Sequence, residues 1–211
     1  MSMYIIVRFG FIVTVLVVSI IIGMRMKSKK KGSLRILSVV TLLFIILGMV
    51  SMYFPVENLF VRFSTVEDAV RYYNGTDVAL LSEGENSCGV YVQKNKNEAT
   101  YSWICIPKDE KGYTLPPMYG MTDTLEKRSD DGRMQLTVYD VKNSNDCYVS
   151  VTATLTDLIE SAENSLNTQV TGVGAELGNT GYIWYIFLTC TDNNPLPYTL
   201  YLDNGEVVTF E

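Results

Sequence analysis

The sequence contains no histidine among its 211 residues. Mechanisms in which a serine or cysteine works with a histidine are therefore excluded for this chain, as are metal sites built on imidazole. No glycine-rich phosphate loop follows a predicted strand, and no two cysteines form the C-x-x-C spacing typical of zinc sites. These absences predict a protein that is not an enzyme and that carries no metal and no cofactor.

Acidic residues are also missing from the first quarter of the chain. Residues 1–54 contain seven Lys or Arg and no Asp or Glu, which gives this segment a formal charge of +7. The other 157 residues carry 10 basic and 23 acidic side chains, which gives −13. A basic segment joined to an acidic body indicates a membrane-associated protein. The acidic body would attract cationic partners and repel nucleic acid.

The basic segment contains two long apolar runs. From Phe9 to Met24 there are 16 uncharged residues, and from Ile36 to Phe54 there are 19. Each run would gain on the order of 5 kcal/mol on insertion into a bilayer. The pattern predicts two transmembrane helices at about 4–24 and 36–54, with Pro55 ending the second because proline lacks an N–H donor.

The predicted connecting loop, 25–35, holds six Lys or Arg and no acid. The positive-inside rule places such a loop in the cytoplasm, so the N-terminus and the acidic body would lie outside a multi-pass protein of the cell membrane. A cleaved signal peptide is the competing interpretation of the first run. It fits poorly because no basic region precedes the run and no small-x-small cleavage site follows it.

Residues 55–211 are predicted to form one mostly-β, sandwich-like extracytoplasmic domain, since short segments rich in Val, Ile, Thr and Tyr alternate with turn residues. One short N-terminal helix is expected, from a capping box at Ser64 and Glu67 to a stop at Asn74-Gly75. The apolar run 182–188 predicts an interior strand. Residues 155–167 fit either a short helix or a hairpin, and the sequence leaves both open.

Four cysteines, Cys88, Cys105, Cys147 and Cys190, all lie in the acidic body. An even number in a segment expected outside the membrane predicts disulfides. A turn at Lys96-Asn97 would place Cys88 opposite Cys105, which leaves Cys147 to pair with Cys190. Four free, buried thiols remain the alternative.

One loop offers aromatic side chains for binding. Tyr113 and Tyr119 flank the stiff pair Pro116-Pro117, a suitable display for stacking on a sugar or peptide. Asp192-Asn193-Asn194 and residues 143–146 offer oxygen ligands, but neither matches a calcium-binding loop, so turns are the favoured interpretation. The predicted partners are the lipid bilayer and either a cell-wall component or another envelope or membrane protein.

The start of the body, 63–70, with Ser87-Cys88, Tyr101-Ser102-Trp103 and Ile106-Pro107-Lys108, resembles small membrane-anchored extracytoplasmic proteins of Gram-positive bacteria that have no assigned function. The resemblance implies a cell-envelope location and no enzyme activity, and it supplies no site residues. We therefore expect a membrane-anchored binding or interaction domain. The alternative is an accessory subunit that acts through its helices in a larger membrane complex, suggested by Arg8 and by the small residues Ser19 and Gly23.

Overall fold

The computed structural model describes residues 2–26, 31–93, 100–117, 121–178, 180–192 and 195–211. Within these ranges lie three α-helices, namely α1 (Met3–Met26), α2 (Lys31–Tyr53) and α3 (Val66–Asn74). A 3₁₀ turn (Val56–Leu59) connects α2 to α3. The strands are β1 (Val78–Glu83), β2 (Ser87–Gln93), β3 (Tyr101–Asp109), β4 (Gly112–Tyr113), β5 (Thr122–Arg128), β6 (Met134–Val141), β7 (Cys147–Leu155), β8 (Ala162–Asn164), β9 (Thr171–Glu176), β10 (Ile183–Thr191), β11 (Tyr198–Leu202) and β12 (Val207–Phe210).

Helices α1 and α2 lie side by side and antiparallel. Thr41 donates a hydrogen bond to Ser19 Oγ at 2.8 Å across the pair. Gly48 lies so close to α1 that a Cβ there would come within 2.8 Å of Ile12. Small residues therefore let the helices approach closely, while most of their large apolar side chains face outward and are exposed.

The prediction of two membrane-crossing helices is supported in part. In the described chain, one helix is long and apolar enough to cross a membrane, over Met3–Arg25 with a mean hydropathy of 2.8. It lies near the N-terminus, where a signal sequence would have the same length and composition. The apolar part of α2 is shorter, Arg35–Ser51, so length and composition do not support a second span or a multi-pass protein. Of the predicted basic loop, residues 27–30 lie outside the described residues, whereas 31–35 belong to α2.

Helix α3 confirms the predicted short helix, with its cap shifted by one residue. Thr65 is the N-cap, and its side chain accepts a hydrogen bond from Asp68 N. Glu67 and Asp68 occupy the first turn, where negative charge is favourable. The helix ends at Gly75, which adopts the left-handed conformation with φ of 75°.

The strands form three antiparallel sheets. Their orders are β1-β2-β3-β4, β5-β6-β7-β10-β9 and β12-β11-β8. Strand β10 lies between β7 and β9, which confirms the predicted interior strand. Strand β5 is an edge of the second sheet, and six of its seven residues are exposed.

The three sheets stack in layers because successive side chains of a strand point to opposite faces. Val90 of the first sheet packs with Val70 of α3, while the neighbouring Tyr91 faces Ile186 of the second sheet. Phe187, the next residue of β10, faces Leu200 of the third sheet. The mostly-β prediction is confirmed, and its described part has three sheets where a sandwich has two.

Residues 155–167 contain the short strand β8, which pairs with β11, so the helical interpretation is wrong. The hairpin interpretation is also wrong, since the partner of β8 is distant in sequence. Asp203 accepts hydrogen bonds from the backbone of Glu160 and Ser161, at 2.8 and 2.9 Å, and so holds this segment extended beside β11.

One buried ion pair connects the helices to the domain. Arg8 of α1 is 4% exposed and makes two hydrogen bonds of 2.6 Å to the carboxylate of Glu57 in the 3₁₀ turn. Arg8 also donates to Ser51 O near the end of α2 at 2.5 Å. Tyr72 of α3 donates to the same carboxylate at 3.2 Å. This group of side chains, which we call the junction, therefore holds four elements together.

Two effects oppose each other at Glu57. Burial disfavours the ionised carboxylate, whereas the hydrogen bonds and charge of Arg8 and the hydroxyl of Tyr72 favour it. The second effect prevails and holds the pKa of Glu57 below its ordinary value of 4.5. The ion pair therefore contributes its full stabilisation at pH values above the ordinary pKa of 4.5. This contribution is lost as the pH falls through the lowered pKa of Glu57.

Replacing Glu57 by glutamine tests the junction. The substitution Glu57→Gln leaves Arg8 buried without its counter-ion, which should destabilise the junction by about 3 kcal/mol and raise amide exchange in α3 by about 100-fold. The unmodified chain should lose protection of α3 as the pH falls through the lowered pKa of Glu57, and this acid dependence should be absent from the variant. Exchange is measured by mass spectrometry, with Glu67→Gln on the exposed side of α3 as the control. Unchanged exchange in α3 would show that the pair does not hold it.

Candidate functional site

The predicted disulfide between Cys88 and Cys105 is wrong. Strands β2 and β3 pair Gln93 with Tyr101, one residue away from the predicted register, so Cys88 lies opposite Ile106. A shift of one residue reverses the faces. Cys88 consequently packs toward α3, whereas Cys105 packs toward the second sheet. The turn at 96–97 lies outside the described residues.

The predicted pairing of Cys147 with Cys190 is also wrong, because the two residues are offset by one position between β7 and β10. Cys190 lies opposite Tyr148, and Cys147 lies opposite Thr191. The two thiols therefore face different layers. All four cysteines are free, in agreement with the alternative that the sequence left open.

The aromatic loop packs against the domain. Tyr113 and Pro116 are buried, and the Tyr113 hydroxyl donates a hydrogen bond to Glu83. Pro117 is half-buried, and Tyr119 lies outside the described residues. The described part of the loop therefore does not present an aromatic surface for stacking, contrary to the prediction.

Of the predicted oxygen-ligand cluster 143–146, Asp146 points into the protein. Its carboxylate is 0% exposed and accepts hydrogen bonds from Glu85 N and Asn86 N, both at 2.9 Å, and from Ser87 Oγ at 2.6 Å. The approach is close enough that a Cβ on Gly84 would lie 2.6 Å from the carboxylate carbon. Asp146 thus fixes the turn between β1 and β2 to the second sheet, which is a structural role.

A cavity of about 370 Å³ opens at one end of the second sheet. Asp123 of β5 lies directly opposite Asp140 of β6, and Asp140 lies opposite Cys147 of β7. The next row of the same face supplies Leu125 and Val138. Asp192, after β10, completes the lining, together with Ser144 and Asn145. We call this site the acidic cavity.

The carboxylates of the acidic cavity are only partly neutralised. Like charges directly opposite on neighbouring strands repel each other. Lys142 forms an ion pair with Asp123 at 3.0 Å. Within the described part of the chain, the carboxylates of Asp140 and Asp192 make no hydrogen bond or ion pair. Apolar side chains beside these two carboxylates suit a ligand that joins a cationic group to an aliphatic chain.

Sequence reasoning favoured a turn at Asp192 over an oxygen-ligand site, and it did not single out Asp123 or Asp140. Nothing in the local sequence marks these two residues, because the pairing of β5 with β6 alone makes them neighbours. Asn193 and Asn194 lie outside the described residues. Among the residues that are described, no three His, Cys, Asp or Glu side chains are arranged to hold a metal ion.

Comparison of the chain with protein-family models, with curated proteins and with solved structures gives no significant match.

Labelling of the thiols tests the free cysteines. Burial is the main cause that raises the pKa of Cys88, Cys105 and Cys147 to about 12, and that of the half-buried Cys190 to about 11. In the folded protein at pH 8 we expect slow alkylation, with Cys190 reacting first, because the thiolate is the reactive form. After denaturation without reductant, mass spectrometry should find four alkylated cysteines. Two alkylated cysteines would instead show a disulfide.

Replacement of Asp146 tests its structural role. Asp146→Ala removes the acceptor of two part-buried backbone N–H groups and of the buried Ser87 hydroxyl. The loss should be about 3 kcal/mol, equivalent to a fall in Tm of about 6–12 °C. Tm is followed by near-ultraviolet circular dichroism, and Asp157→Ala, at an exposed carboxylate, is the matched control. Equal Tm values for the two variants would contradict this role.

Proposed function

We propose that the chain is a membrane-anchored domain that binds a cationic group of an envelope partner in the acidic cavity. The observation that carries the proposal is that Asp140 and Asp192, whose carboxylates have no partner among the described residues, lie beside the apolar side chains of Leu125 and Val138. An ammonium group could contact the carboxylates while its methylene chain covers these apolar side chains. The formal charge of −13 on residues 55–211 would attract such a ligand from a distance.

The proposed topology has both α1 and α2 crossing the cell membrane, with the domain outside. Support comes from the hydropathy of α1 and from the close antiparallel packing of α2 along it. It also comes from the basic residues 25–35, which follow the positive-inside rule for a cytoplasmic connection. The apolar part of α2 is short by itself. Because α2 packs along α1, however, α1 covers one side of α2 in place of lipid.

An accessory role within a larger membrane complex is the less supported function. Its motivating features were Arg8 and the pair Ser19 and Gly23. Arg8 is satisfied by Glu57, and Ser19 accepts a hydrogen bond from Thr41. Gly23 lies against Leu37 of α2. Because these groups already have partners within the chain, they provide no separate reason to expect a third helix.

Binding of a lysine peptide tests the acidic cavity. The full chain is placed in neutral lipid nanodiscs and titrated with tetralysine, and binding is measured by calorimetry. Asp140→Asn with Asp192→Asn should weaken binding at least about 10-fold, since two ionic contacts to the ligand are lost. The control Asp157→Asn with Glu160→Gln removes the same charge from exposed positions.

The two double variants separate the outcomes. A 10-fold loss in the cavity variant alone would support a site at the cavity. Equal weakening in both variants would show diffuse attraction to the acidic surface and would reject the cavity as the site. Acetylated tetralysine, which lacks the side-chain charges, should not bind in either case.

A further inference from the structure

The stretch between α2 and α3 exposes more apolar surface than a water-facing linker should. In this stretch, residues 54–61, which we call the juxtamembrane segment, Leu59 is 77% exposed and Phe60 is 86% exposed. The other large exposed apolar side chains of the segment are Phe54, Val56 and Val61. Clustered exposure of this kind marks a surface that contacts something other than water.

The polar side chains of the same segment point the opposite way, into the protein. Glu57 binds Arg8 in the junction. The Asn58 side chain donates to Leu115 O and accepts from Leu115 N, both at 2.8 Å. The segment is therefore polar on its inner side and apolar on its outer side, the reverse of a linker at a water-facing surface.

The orientation of the apolar side is fixed by these contacts. The backbone of Phe60 and Val61 closes the 3₁₀ turn on Glu57 O at 2.9 and 2.8 Å. Immediately after the segment, Arg62 forms an ion pair with Asp109 of β3 at 2.8 Å. Leu59 and Phe60 are thus held outward on a braced turn, so their exposure is a property of the fold.

The position of the segment identifies what covers it. It begins directly at the end of α2, at the level where Arg8 and Tyr4 mark the outer end of α1. Its one charged side chain, Glu57, is neutralised by Arg8, so the segment does not repel anionic headgroups. We infer that residues 54–61 insert Leu59 and Phe60 into the outer interface of the bilayer and so fix the domain against the membrane.

This inference depends on the proposed membrane anchor, so the experiment measures both. The full chain is placed in nanodiscs whose lipids carry bromine, which quenches tryptophan, near the glycerol end or near the methyl end of the acyl chains. Three single variants each report one depth, namely Val17→Trp in the span, Phe60→Trp in the segment and Leu158→Trp on the domain, where Leu158 is 70% exposed. The unmodified chain, with Trp103 and Trp184 between the sheets, gives the background.

The expected result is graded by depth. The emission added by Phe60→Trp should fall by about half with bromine near the glycerol end and less with bromine near the methyl end, as for an interfacial residue. Val17→Trp should respond strongly to the deeper bromine, and Leu158→Trp to neither.

Each quenching pattern that differs from the expected one leads to a different conclusion. If Val17→Trp is quenched but Phe60→Trp behaves as Leu158→Trp does, the anchor stands and the inference is overturned. If Val17→Trp is not quenched, the anchor itself fails. If Phe60→Trp is protected from both bromine and aqueous acrylamide, a second polypeptide covers the segment, which also overturns the inference.

Discussion

The ion pair between Arg8 and Glu57 is the constraint on which the placement of the other elements depends. An arginine within an apolar helix is unfavourable unless its charge is matched, and Glu57 matches it with two hydrogen bonds of 2.6 Å. Arg8 also donates a hydrogen bond to the Ser51 carbonyl oxygen near the end of α2. Glu57 accepts a hydrogen bond from Tyr72 and so positions α3. Since the first sheet packs on α3, the position of every layer above it follows from this contact.

The layers explain the high apolar content of a domain with short strands. A sheet covered on one side needs apolar residues only at alternate positions, whereas the first two sheets are covered on both sides. Strand β2 buries six of its seven residues, and β10 is apolar in consecutive positions for this reason. Between these two sheets the Tyr91 hydroxyl donates to Ser150 at 2.8 Å, whereas Trp103 Nε1 is buried without a hydrogen-bond partner in the described part of the chain.

Local signals in the sequence predicted local structure well and register poorly. The C-terminal stop of α3 was predicted correctly, whereas its N-cap is Thr65, one residue after the predicted Ser64. The Asp131-Gly132 pair predicts a hairpin with Ser129 opposite Met134, and Ser129 N does bond to Met134 O at 3.0 Å. The Asn204-Gly205 pair predicts a hairpin with Tyr201 opposite Val208. That hairpin forms, but Tyr201 pairs with Val207, because left-handed Gly205 adds one residue to the turn. An error of one residue also produced the wrong pairing of Cys88 with Cys105, and Cys147 with Cys190 was predicted only as the remaining pair. The acidic cavity was missed for two reasons. Asp123 and Asp140 belong to consecutive strands and face each other through the β5–β6 hairpin, whose register does not by itself mark a site. Asp192 joins them only because β10, which is distant in sequence, pairs with β7 in the same sheet.

The exposed edge strand β5 of the second sheet affects how neighbouring copies of the chain would meet on a crowded membrane. Proteins tethered to one membrane share a plane and an orientation, so their domains meet repeatedly at the same height. A bare edge strand would then recruit the edge of a neighbouring copy into a continuous sheet. Strand β5 carries Glu126, Lys127 and Arg128 in succession, all exposed. Charges of both signs on consecutive residues place solvated groups on both faces of that edge, which would keep neighbouring copies of the proposed membrane-anchored chain separate.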